Sequence, residues 1–154
     1  MSRVSVSEQF PGTVHEAQTL WYDTTRWPAW VDELAHVDYV SDGYPATGST
    51  VRWHSGPAGR GRVTERVTAQ ETLAGQTVEV SDDSIDGEQT VSFNPVTEET
   101  VEVTLTLDYT IRKRQLFTPL VDALFVRRAM RTSLAKTLTH FGAELASARG
   151  RPSA

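Results

Sequence analysis

Cysteine is absent from the chain, which excludes disulfides, zinc–thiolate sites and a cysteine nucleophile together. No apolar run approaches the roughly 20 residues that a membrane-spanning helix needs, so stable insertion into a membrane is not expected. The first residues, Met1-Ser2-Arg3-Val4-Ser5-Val6, alternate in polarity where a signal peptide would carry an apolar core, and the expected location is the cytoplasm. The four histidines, His15, His36, His54 and His140, show no metal-ligand spacing; a transition-metal site needs three or four convergent ligands. Gly56-Pro57-Ala58-Gly59-Arg60-Gly61 is glycine-rich but lacks the spacing of phosphate-cradling loops. The Gly-x-Ser-x-Gly turn of hydrolases is missing too. No metal and no cofactor are expected, and no enzyme class is demanded.

Repeats, linkers and low-complexity segments are also lacking, and 154 residues make one domain with a sizeable core. The net charge of −5 weighs against a nucleic-acid partner. Charge is nevertheless uneven. Glu79 to Glu102 holds eight acids and no Lys or Arg, whereas Arg112 to Arg131 holds six basic residues against Asp122 alone. Complementary solvated faces explain this, and so does a basic mouth that attracts an anionic ligand.

What the chain does have is an aromatic cluster. Three of its four tryptophans, Trp21, Trp27 and Trp30, fall within ten residues. Each indole buries a large apolar area, so the cluster reads either as a core plug or as the wall of a pocket. Around it the pattern is ordered. Arg3 to Phe10 alternates as a strand, and Pro11-Gly12 breaks it. Thr13-x-x-Glu16 is a capping box that predicts a short helix to about Tyr22. Trp27-Pro28 redirects the chain into a second short helix, to about Leu34.

From residue 36 strands and turns alternate about every ten residues: His36–Ser41, Thr50–His54, Arg60–Gln70, Thr77–Ser81, Glu88–Pro95 and Glu99–Arg112. That spacing predicts an antiparallel meander. The last strand is the clearest, with Val101, Val103, Leu105, Leu107, Tyr109 and Ile111 on one face. Thr118 as cap and Pro119 at the first position then open a helix to about Ala148. Its apolar stripe is Val126, Met130, Leu134, Leu138, Phe141 and Leu145. Such a helix is long enough to cross a whole sheet, and a space left between the two becomes a cavity.

This order resembles the helix-grip fold of the START, birch-pollen-allergen and polyketide cyclase/dehydrase superfamily, SRPBCC. Four local pieces are similar to its bacterial polyketide cyclase/dehydrase-like branch. They are Asp23-Thr24-Thr25-Arg26-Trp27-Pro28-Ala29-Trp30, Gly48-Ser49-Thr50-Val51-Arg52-Trp53, Gly87-Glu88-Gln89-Thr90-Val91-Ser92-Phe93-Asn94-Pro95, and Arg127-Arg128-Ala129-Met130-Arg131-Thr132-Ser133-Leu134. The resemblance implies an α+β domain over residues 1–148, a curved antiparallel sheet wrapped around a long C-terminal helix, with a frayed tail at 149–154. It is specific for the fold and not for an activity, since the superfamily includes carriers, receptors and cyclases.

Parity and helical angle single out the candidate site. Trp53 shares inward parity with Val51, and Phe93 and Tyr109 also point inward. With Met130, Leu134 and at least one of Trp21, Trp27 and Trp30 they are expected to share one pocket. Glu65 shares parity with the inward Val63 and Val67, and a carboxyl in an apolar pocket serves as a general acid or base; a bulge would turn it outward. Arg127 falls on the apolar stripe of the long helix, either as a partner for Glu65 or reaching from the helix start to water. The leading function is binding of a small hydrophobic or aromatic molecule, lipid-like or polyketide-like, in an internal, mostly apolar cavity. The alternative is a cofactor-independent cyclase/dehydrase-type enzyme in which Glu65 or Tyr109 moves protons and Arg127 steadies an enolate. A third reading is an interaction protein with a closed cavity. The sequence names neither the ligand nor an oligomeric state.

Overall fold

The computed structural model describes residues 2–57, 59–112 and 119–150. The chain opens with β1 (Ser2–Pro11), followed by α1 (Val14–Trp21), a 3-10 turn (Thr24–Arg26) and α2 (Trp27–Trp30). Six strands follow: β2 (Leu34–Val40), β3 (Thr50–Ser55), β4 (Arg62–Glu71), β5 (Gly75–Ser81), β6 (Ile85–Thr97) and β7 (Thr100–Ile111). The long helix α3 (Pro119–Arg149) closes the order. The strands make one seven-stranded sheet in the order β1-β7-β6-β5-β4-β3-β2, antiparallel at every step.

Local chemistry explains the boundaries. Glu16 N–H donates to the Thr13 hydroxyl (3.1 Å) and Thr13 N–H donates to the Glu16 carboxylate (3.0 Å), so the expected capping box starts α1. The second short helix is shorter than the sequence predicts. It ends at Trp30, and the chain turns at Glu33 with a positive φ of 68° before β2 begins at Leu34. Propensity alone does not show this stop, because burial of Trp27 and Trp30 fixes the turn from outside the local sequence. Strands β5 and β6 start earlier than predicted: Gly75 and Gln76 pair with Ser92 and Val91, and Asp86 and Gly87 pair with Ser81 and Val80, which extends the ladder at both ends.

The core lies between the inner face of the sheet and α3. In β7, Val101, Val103, Leu105, Leu107 and Tyr109 are buried, and Leu134, Leu138, Phe141 and Leu145 of α3 belong to the same cluster. Val126 and Met130 are half-buried at its margin. The expected cap Thr118 lies outside the described residues, as do 151–154 of the expected tail. Arg149, assigned to that tail, is tied down instead: its guanidinium pairs with Glu16 (3.1 Å) and Glu99 (2.8 Å).

The tryptophans gather where the short helices meet α3. Trp21 and Trp30 lie 4.6 Å apart between ring centroids, and Phe141 sits 5.2 Å and 5.1 Å from them. Trp27 meets Trp30 edge-on at 6.3 Å. Tilted and edge-to-face pairs of this kind stabilise beyond simple area burial. The cluster is therefore the plug at one end of the sheet, and its far side faces a cavity.

Candidate functional site

That cavity opens between α2, α3 and the inner face of β3–β7. Its volume open to the centre of a water molecule is about 40 Å³. Trp21, Trp27, Trp30, Trp53, Val80 and Leu134 supply apolar wall. Glu65, Gln76 and Gln89 bring polar groups from the sheet, Arg60 from the β3–β4 connection, Asp32 from the α2–β2 connection, and Ser133 and Thr137 from α3. The expected mostly apolar cavity is thus mixed. Two bonds tie the α2–β2 connection to α3 at this wall: Ser133 hydroxyl donates to Asp32 Oδ2 (2.8 Å), and Asp32 N–H donates to the Thr137 hydroxyl (3.0 Å).

Glu65 sits mid-strand in β4, in register with Val51 and Val80 on its neighbours. The bulge of this strand falls later, between Val67 and Ala69, so nothing turns Glu65 outward. Trp53 Nε1–H donates to its Oε2 at 2.7 Å. Burial pushes the Glu65 carboxyl above the ordinary carboxylate range, against the lowering effects of the Trp53 bond and the Arg60 charge. Burial also raises the nearby Tyr44 phenol, and the Glu65 charge adds to this. Both groups favour their neutral forms.

The cation beside Glu65 is Arg60, not Arg127. Gly61, with φ of +76°, takes a left-handed turn directly after Arg60. Arg60 Nε–H donates to Asp82 Oδ2 at 2.7 Å, and the guanidinium carbon stands 5.6 Å from the Trp53 ring centroid. The Asp82 side chain is fully buried, and its other oxygen accepts from the backbone of Ser84 (2.7 Å) and Ile85 (2.9 Å). The turn between β5 and β6 therefore holds the arginine in place. Two donors on the cavity wall remain buried without a partner among the described residues: Arg60 Nη2 and Trp30 Nε1. Trp27 Nε1–H, by contrast, is bonded to the Trp21 carbonyl (2.8 Å).

Of the residues expected from the sequence, Trp21, Trp27, Trp30, Trp53, Leu134 and Glu65 meet at this cavity. Phe93 is buried elsewhere, packed edge-on against Trp21 (6.2 Å) and Tyr22 (6.3 Å). Met130 is half-buried at the core margin and does not line the cavity. Tyr109 is buried, also away from it. Its pKa is raised by burial, against the lowering effects of the Ser2 side chain and the Arg127 charge. Arg127 is exposed on α3, so the expected Glu65–Arg127 pair does not form; the long side chain extends from the stripe to water. Sequence reasoning missed Arg60 and Asp82. Asp82 carried a signal, because it continues the inward parity of Val78 and Val80 beyond the end of β5.

Glu65 makes a testable pH prediction. Its folded-state pKa lies above the ordinary 4.5, so the folded protein keeps this proton to higher pH than the unfolded chain. Stability from this group is therefore present below that value and falls as pH rises through the folded pKa. Glu65→Gln keeps an acceptor for Trp53 and removes the titration. Melting temperatures across pH 4 to 8 are expected to fall less steeply with pH in the variant than in the wild type. Parallel profiles would contradict the raised Glu65 pKa.

Solved structures share the fold. The Zhui aromatase/cyclase from Streptomyces sp. R1128 superposes with a TM-score of 0.77 at 13% identity, covering 94% of this chain and 93% of that one. Norcoclaurine synthase from Thalictrum flavum, in complex with dopamine and hydroxybenzaldehyde, gives 0.73 at 8% identity, with coverage of 99% and 89%. A Rhodobacter sphaeroides protein gives 0.70 at 22% identity, with coverage of 95% and 93%. At such identities the likeness speaks for the fold alone. No curated protein sequence matches the chain. The family model described as polyketide cyclase / dehydrase and lipid transport matches residues 1–146, and the chain belongs to that family.

Proposed function

We propose that this protein binds a small aromatic or hydrophobic molecule carrying an oxygen acceptor, in the cavity between the sheet and α3. The observation that supports it is the pair of buried donors without a partner among the described residues, Trp30 Nε1–H and Arg60 Nη2–H, in residues that line the mixed wall alongside three further indoles. A buried donor left without a bond costs about 1–3 kcal/mol. A carbonyl, phenolate or carboxylate oxygen on a ligand removes that cost while its ring packs against Trp21, Trp27 and Trp53. The space of about 40 Å³ admits a few water molecules and no more. Binding is therefore coupled to widening of the cavity, for which the Asp32 ties to Ser133 and Thr137 on its wall are the bonds to release.

A second reading, a cofactor-independent cyclase/dehydrase-type enzyme, is favoured by one specific group. Glu65 is a carboxyl held toward its neutral form beside a guanidinium, a pairing suited to moving a proton while Arg60 steadies an enolate oxygen. Tyr109 and Arg127 have no part in it, since neither lines the cavity.

One experiment separates the readings. Native mass spectrometry of the purified protein, then denaturing extraction, identifies any carried molecule. Isothermal titration with 4-hydroxybenzaldehyde and with toluene tests the acceptor requirement. The expected result is that the aldehyde binds at least about tenfold more tightly, a difference worth roughly 1.4 kcal/mol. A binder keeps that affinity in Glu65→Gln, whereas an enzyme binds and loses turnover. Equal affinity for the two probes, or none for either, would overturn the proposal.

A further inference from the structure

On the outer face of the sheet, remote in function from the cavity, β2 and β3 bring together a second constellation. We propose that His36, Asp38 and His54 form a binding site for a divalent transition metal of the zinc and copper class. The three residues offer one ligand atom each, all within 4.8 Å of one another. His36 Nδ1 lies 3.0 Å from Asp38 Oδ1, and His54 Nδ1 lies 2.9 Å from the same oxygen and 3.0 Å from Oδ2.

Backbone register builds this convergence. His36 and His54 are direct cross-strand partners, and their rings stack at 5.6 Å with 30° between planes. Between Val37 and Tyr39 the register slips by one, which leaves Asp38 as the extra residue of a bulge. A bulge of this kind re-aims a side chain, and here the carboxylate falls between the two imidazoles. Zinc bonds nitrogen and oxygen at about 2.0–2.2 Å, so two of its ligand atoms stand about 3–3.5 Å apart. The observed spacings need little adjustment to reach that.

The donor set selects the metal. Two imidazoles and one carboxylate suit zinc, copper, nickel or iron, and not magnesium or calcium, which take oxygen ligands. In the absence of metal each imidazole places its Nδ1 proton on Asp38. A metal takes the place of that proton, which moves to Nε2, so the ligand nitrogen becomes available without a net charge change on the ring. His36 is 69% exposed, His54 44% and Asp38 42%, so the ion enters directly and keeps open positions. Arg52 and Arg62 border the groove. Arg52 is drawn over the Tyr39 ring at 4.9 Å. Their charge weakens the site for a bare cation and favours an anion on the open positions.

The test is isothermal titration of tag-free protein with zinc chloride, and with copper chloride followed by electron paramagnetic resonance. One metal per chain is expected, copper tighter than zinc as the general order requires, with nitrogen hyperfine structure from imidazole. His36→Gln, His54→Gln and Asp38→Asn should each weaken zinc by at least about tenfold. His15→Gln and His140→Gln should leave it unchanged. Circular dichroism melts show that each variant is folded, and these surface changes make that the expected outcome. Absence of saturable binding, or binding that persists in the His36→Gln/His54→Gln double variant, would overturn the site. Neither result bears on ligand binding in the cavity.

Discussion

Arg60→Met is expected to lose about 3–5 kcal/mol of folding stability in a urea titration, because it strands a buried carboxylate. Asp82 has no exposed side-chain surface, Arg60 only 14%, and the two are 2.7 Å apart. Two backbone N–H groups still reach Asp82 Oδ1, yet Oδ2 loses its charged partner in a place water does not reach. The double variant Arg60→Met/Asp82→Asn should recover much of the loss, since the amide oxygen keeps the backbone bonds and carries no charge. A loss under about 1 kcal/mol in Arg60→Met is what a solvated pair would give. That result would remove the rigid support on which the cavity's cationic wall depends.

Trp30→Ala should cost a similar amount, about 3–5 kcal/mol, by the cavity and transfer terms of a large core deletion. Trp30 is 1% exposed and touches Trp21, Trp27 and Phe141. Trp30→Phe is the informative companion. It keeps a ring in the plug and removes an indole N–H that has no partner among the described residues, so its stability loss should be well below that of Ala, in the range of a core size reduction. Affinity for an oxygen-bearing probe should nevertheless drop in Trp30→Phe. Equal loss of stability in the two variants would assign Trp30 to packing alone.

The contrast between these residues explains what was legible in the sequence. Parity along β7 and the stripe of α3 are periodic signals, and burial on one face makes them strong; from them the sheet, the helix and their shared core follow. Glu65 was visible for the same reason, as a charge in phase with valines. Arg60 was not, because its inward direction is set by a left-handed glycine and by Asp82, 22 residues further on. Arg127 shows the opposite failure. Helical angle located its Cα on the stripe, but a long flexible side chain at the margin of the core is free to reach water. His36 and His54 were read as lacking metal-ligand spacing because cross-strand register and a bulge at Asp38, rather than spacing along the chain, bring the three together.

The central claim is that the unpartnered indole of Trp30 faces a ligand site shared with Arg60 and Glu65. Nitrogen-15 labelling of tryptophan gives one indole N–H signal for each of the four tryptophans, assignable by single Trp→Phe substitutions. On titration with 4-hydroxybenzaldehyde the account predicts that the Trp30 signal moves downfield as it gains an acceptor, while the Trp27 signal, already bonded to the Trp21 carbonyl at 2.8 Å, stays nearly fixed. Saturating ligand binding with an unmoved Trp30 indole would contradict it.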